Sequence, residues 1–134
     1  MIGLGSAFWG GIPNDPNGKH LHFIITDPQL HGGKAVMVNA TTQRRGRDSS
    51  CVLSATDHPD IRHDSVINYL EARVVEVEKV EIACRKHPEH MHLTTDASDE
   101  LLDKILHGAE ITCRISPECL ELVNEQICAL DSTE

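Results

Sequence analysis

Residues 35–55 read AVMVNATTQRRGRDSSCVLSA, and their reading decides the fold. Residues 35–42 are rich in Val and Thr, whose branched side chains fit a pleated strand. Arg44, Arg45, Gly46, Arg47 and Asp48 follow as a polar, basic loop, and SCVLSA (50–55) is a second, shorter strand. Strand, basic loop, strand is therefore the local unit.

The same punctuation extends outward in both directions. Upstream, HLHFIIT (20–26) alternates His20, His22 and Ile24 with Leu21, Phe23 and Ile25, a period of two. LGSAFWG (4–10) reads as the first strand, and Pro13, Asn14, Asp15, Pro16, Asn17 and Gly18 between the two are turn chemistry. Downstream, Asp57-His58-Pro59-Asp60 is a turn, and SVINYLEARVVEV (65–77) supplies one or two further strands. Short strands at this spacing predict a small barrel or sandwich.

Helical signals begin only afterwards. Val77, Val80 and Cys84 recur at helical spacing. Asp96 is a candidate cap for a helix carrying Leu101, Leu102, Ile105 and Leu106, with Gly108 as its stop. Ser116 and Pro117 form an N-cap and N1 pair ahead of a stripe of Leu120, Val123, Ile127 and Leu130. Helices segregated after strands predict an α+β fold. The expected organisation is one domain over 1–134: a barrel core (1–77), a helical insertion (78–114) and a C-terminal helix (115–134).

Bulk properties narrow the function. The 134 residues carry 12 bases and 21 acids, a formal charge of −9, which argues against a surface that binds nucleic acid everywhere. Residues 1–67, however, hold six acids and six bases, so the whole deficit lies in the second half. Phe8, Trp9, Phe23 and Tyr69 are too few for an RNA-binding platform built on aromatic stacking. No apolar run reaches the ~20 residues of a membrane span, and no basic stretch followed by an apolar one opens the sequence, so secretion is not expected. With five cysteines, an odd number without tight spacing, the expectation is reduced thiols in a cytoplasmic protein.

In this strand order, GSAFWGG, GKHLHFIITDP and above all VMVNATTQRRG resemble the MazF/PemK family of toxin endoribonucleases, and CVLS fits the strand that follows. SPECLELVNEQI looks like the family's last helix. The resemblance covers roughly residues 4–77 and 115–130. It implies a small SH3-like β-barrel with C-terminal helices that cleaves single-stranded RNA without metal or cofactor. It further implies a cognate antitoxin as partner and a homodimer. The family's threonine falls on Thr41, with Thr42 beside it, and the family's arginine position falls on His20. Arginine donates to phosphate at any pH, whereas histidine changes charge near neutrality. Either the activity is lost, or His20 serves as acid or base while Arg44 or Arg45 holds the phosphate.

The chemistry of such cleavage needs a base for the 2′-hydroxyl, an acid for the leaving oxygen and cations for the phosphoryl oxygens. His20, Thr41 and Thr42 are one candidate centre, and His58 with His63 in DHPDIRHDS is a candidate acid–base pair. Lys19, Arg44, Arg45 and Arg47 are the candidate RNA-binding cations. Against each stands a plainer reading: outward-facing strand histidines, an ordinary turn, a solvated loop. Two other classes also fit: a catalytically inactive barrel that binds protein or nucleic acid, and a zinc-binding protein using Cys84, His87, His90 and His92. The default for residues 84–92 is a polar loop after a short helix, with no metal assigned.

Overall fold

The computed structural model describes residues 1–12 and 15–132. Its strands are β1 (Ala7–Ile12), β2 (Asp15–Ile24), β3 (Lys34–Thr42), β4 (Val52–Leu53), β5 (Ser65–Ile67) and β6 (Arg73–Glu76). Helix α1 (Val77–Lys86), strand β7 (His92–Thr94), and helices α2 (Asp99–Ile111) and α3 (Pro117–Asp131) follow. The sheet is antiparallel, runs β4-β5-β3-β2-β1-β7 with β6 also on β3, and does not close among the described residues. This is the α+β arrangement expected, with an open sheet among the described residues.

β3 organises it. Along one edge it pairs with β2, with Leu21 opposite Ala40 and Ile24 opposite Met37. Along the other it pairs first with β6 (Lys34 to Met37) and then with β5 (Ala40 to Thr42). Residues 35–40 are all buried, because both faces of this strand are covered. On one face Leu21, Phe23, Val36 and Val38 pack with Leu101, Ile105 and Leu106 of α2 and Val123 of α3. On the other, Phe8, Ile24, Ala35 and Met37 lie under Val77 and Val80 of α1. Each large aliphatic or aromatic side chain so buried contributes about 1.5–3 kcal/mol. Further along this second face the apolar row gives way to His22, His20, Asn39 and Thr41.

Several boundaries differ from expectation. β1 starts at Ala7, not residue 4, and the backbone of residues 15–18 continues β2 after a register shift between Gly11 and Ile12. The turn reading at Pro13 and Asn14 lies outside the described residues. The strand expected over 50–55 shrinks to two residues. Ser50 N–H is taken by Asp48 Oδ1 at 3.0 Å and Ser54 N–H by Asp57 Oδ2 at 2.8 Å, so side chains end the ladder at both sides. Ser98, rather than Asp96, caps α2, accepting from Leu101 N–H at 3.1 Å.

Gly108 does not stop α2, which continues to Ile111. A Cβ at this position would run into the Tyr69 hydroxyl and Cys51, so its role is close approach of the helix to the sheet. Tyr69 Oη donates to Ile105 O at 2.6 Å across that contact. The caps Ser116 and Pro117 of α3 sit as expected, while its buried positions are Cys119, Val123 and Gln126. No helix among the described residues is long and apolar enough to cross a membrane.

Candidate active site

The end of β3 positions the site. Thr41 lies opposite Val66 and Thr42 opposite Ser65. On β2, Leu21 is opposite Ala40, so one step further along that register sets His20 beside Thr41. The His20 ring is half-buried and its Nδ1 lies 3.3 Å from Ala40 O. A carbonyl only accepts, so Nδ1 carries the hydrogen and a neutral ring keeps its lone pair on Nε2.

Thr41, Thr42 and His20 line a cleft of about 450 Å³ with Lys19, Arg62 and His63. His63 Nε2 lies 3.0 Å from Thr42 Oγ1. A second cleft, of about 380 Å³, shares His20 and Thr41 with the first and adds Arg47, Asn39 and Arg114. Both clefts touch the polar end of this sheet face, and their linings mix these cations with the acids Asp48, Asp60 and Glu71.

The basic loop divides. Arg47 donates through Nη1 to Thr41 Oγ1 and, at 2.8 Å, to Thr42 O. Arg44 and Arg45 are exposed and line neither cleft. The turn is closed by Arg47 N–H to Arg44 O at 3.1 Å, with Gly46 at φ +89°, a conformation that favours glycine. Of the three arginines expected to hold phosphate, Arg47 alone reaches the threonines. Lys19 lines the first cleft while donating to Glu89 O at 2.8 Å.

His58 and His63 part company. His58 is buried, and its Nε2–H donates to Thr95 O at 2.6 Å while Nδ1 accepts from Asp60 N–H at 3.0 Å. Both ring nitrogens are used, so His58 has none to offer a substrate and serves to hold the turn. Asp60 continues that role. Its Oδ2 accepts from Thr94 Oγ1 and from Trp9 Nε1 at 2.8 Å, and these bonds hold the carboxyl below the usual carboxylate range. Turn, β1 and β7 are thereby tied together, and Arg62 and His63 stand over the threonines.

His22, two residues beyond His20, is buried against Phe8 with ring centroids 5.0 Å apart and planes at 6°. Its Nδ1–H donates to His20 O at 2.9 Å, and burial lowers its pKa to about 4. It is a neutral support for His20's backbone.

Arg62, Trp9, Asp60, Asn39 and Arg114 also belong to these clefts, although the sequence had not singled them out. Arg62 lay in plain view inside DHPDIRHDS. Among the described residues no three His, Cys, Asp or Glu side chains come together as a metal would require, so the zinc reading of Cys84, His87, His90 and His92 finds no cluster. His87 and His90 instead lie near Glu89, at 3.8 and 3.7 Å.

Neither a family model nor a curated protein matches this chain in sequence. Solved structures do match in shape. An endoribonuclease in complex with its cognate antitoxin, from a mycobacterial species, is similar with a TM-score of 0.51 and 14% identity, over 81% of this chain and 90% of that one. This chain has that endoribonuclease's fold. A MazE-MazF structure (Form-III) from Deinococcus radiodurans is similar at a TM-score of 0.49 and 14% identity, over 78% and 88% of the two chains. The toxin-type fold expected from VMVNATTQRRG is the fold observed, and at this identity the likeness is one of fold.

Proposed function

We propose that this protein is a metal-independent endoribonuclease that cleaves single-stranded RNA. The observation that carries the reading is the convergence of His20, Thr41, Thr42 and His63 in one cleft, with Arg62 in its lining and Arg47 bonded to Thr41. Nε2 of neutral His20 takes the proton of the 2′-hydroxyl as O2′ attacks phosphorus. The P–O5′ bond breaks as P–O2′ forms, and protonated His63 gives its proton to O5′. The products are a 2′,3′-cyclic phosphate and a 5′-hydroxyl end. Arg47 and Arg62 supply the fixed positive charge for the phosphoryl oxygens, with Thr41 and Thr42 as short-range donors. In this scheme arginines do the work that a metal ion would otherwise do.

The fold neighbour was solved with its cognate antitoxin. By analogy, an antitoxin protein holds this chain silent; the MazF/PemK resemblance of the sequence adds a homodimer and a cytoplasmic setting to the proposal. A second reading rests on His20 standing where the family's arginine falls: a barrel that binds RNA or protein without cutting it. Incubation with a long single-stranded RNA in EDTA decides. Cleavage that falls by about 10²-fold or more in His20→Ala and Thr41→Ala supports the nuclease. Binding of intact RNA without cleavage sinks it and favours the binding module.

A further inference from the structure

A separate pocket lies on the same sheet face, between the sheet and α1, and the nuclease reading does not use it. Its volume is about 620 Å³. The walls are apolar: Phe8 of β1, Met37 of β3, Val75 of β6, Val80 of α1, and Met91 just before β7. The ring of His22, stacked on Phe8, also lines it. The cations Lys19 and Arg73, with Gly11 and His90, complete the lining.

Arg73 is opposite Met37 in the β3–β6 ladder, which puts it on this face, close enough to His22 to act on its charge. Among the described residues no carboxylate pairs with it. In a chain of formal charge −9, a hydrophobic pocket with an unpaired guanidinium is set against the prevailing sign. A guanidinium offers a planar pair of donors that fits a carboxylate or sulfonate. An RNA base would find apolar walls in place of edge-reading donors and acceptors.

We propose that this pocket binds a small amphiphilic anion, with its apolar body between Phe8, Met37 and Val80 and its acid group on Arg73, assisted by Lys19. The site is distinct from the His20–Thr41 cleft, and Lys19 is the one lining residue common to both.

The test uses the full chain and two fluorescent probes of similar shape, 8-anilinonaphthalene-1-sulfonate and the uncharged N-phenyl-1-naphthylamine. The expected result is saturable binding of the sulfonate, displaced by decanoate. Arg73→Ala weakens the sulfonate by about tenfold or more and leaves the uncharged probe within about twofold, as loss of one charge-assisted contact requires. Arg73→Glu removes sulfonate binding. Arg73 is exposed, so unchanged circular dichroism and thermal midpoint are expected of both variants. Equal weakening of the two probes, sulfonate binding that survives Arg73→Glu, or failure of decanoate to displace overturns the proposal. None of these readouts depends on RNA cleavage.

Discussion

Acidification tests the support beneath His20. Burial takes His22 from the ordinary histidine value of 6.5 to about 4. That displacement corresponds to about 3 kcal/mol of preference for the neutral ring in the fold. The folded pKa is lowered, so the unfolded chain binds the extra proton. His22 therefore contributes full stability above about pH 6.5, and that contribution drains away as the pH falls towards about 4. Between about pH 7.5 and about pH 5 the loss from this one ring is about 2 kcal/mol. The carboxyls of Asp48, Asp57 and Asp60, all held below their ordinary value of 3.8, act only below this window. Urea unfolding of wild type and His22→Gln at the two pH values isolates the effect, because the other histidines are common to both proteins. Wild type should lose about 2 kcal/mol more than the variant over this range. Equal losses in the two proteins would refute the reasoning, and so would a His22 ring that titrates near pH 6.5 by NMR.

Other outcomes follow from the packing and the caps. Gly108→Ala, which in an exposed helix would gain up to about 1 kcal/mol, should here cost about 1–3 kcal/mol by calorimetry because the methyl meets Tyr69 and Cys51. Ser98→Ala should cost about 1 kcal/mol of stability in denaturant, and Asp96→Ala close to nothing, since the cap of α2 is the serine. Burial pushes the Cys51 thiol up to about 11 and raises those of Cys84 and Cys119. A thiol-disulfide reagent at about pH 8 should therefore modify exposed Cys113 and Cys128 first, and Cys51 and Cys119 only on unfolding.

The legible parts of the chain were those where local chemistry and tertiary packing ask for the same thing. β3 is apolar because both its faces are covered, and the same Val- and Ala-rich run announces a strand. Ser116 and Pro117 cap α3 by contacts within a few residues, so sequence spacing suffices. β7 is three residues, exposed along most of its length, and exists because β1 offers an open edge; nothing local marks it. Gly108 reads as a stop in sequence because only the distant Tyr69 and Cys51 give it another reason.

The candidate site divides in the same way. His58 and His63 are five residues apart in one turn, and it is His58 that bonds to Thr95 O, just past β7, and is buried. Of three arginines in four residues, only Arg47 turns back to Thr41, because Gly46 bends the loop. The zinc-like spacing of residues 84–92 spreads over a helix, a turn and a strand, so proximity in sequence does not become proximity in space.

Trp9 gives this arrangement a practical use. It is the single tryptophan, its indole N–H is bonded to Asp60, and it forms part of the wall beside His20 and His63. Intrinsic emission from this protein is thus a label-free signal from one place. A nucleotide entering the cleft, or a break in the joint between the turn and β7, would register in the same wavelength and intensity, and the quenching of that one fluorophore can time both events in a stopped-flow cell.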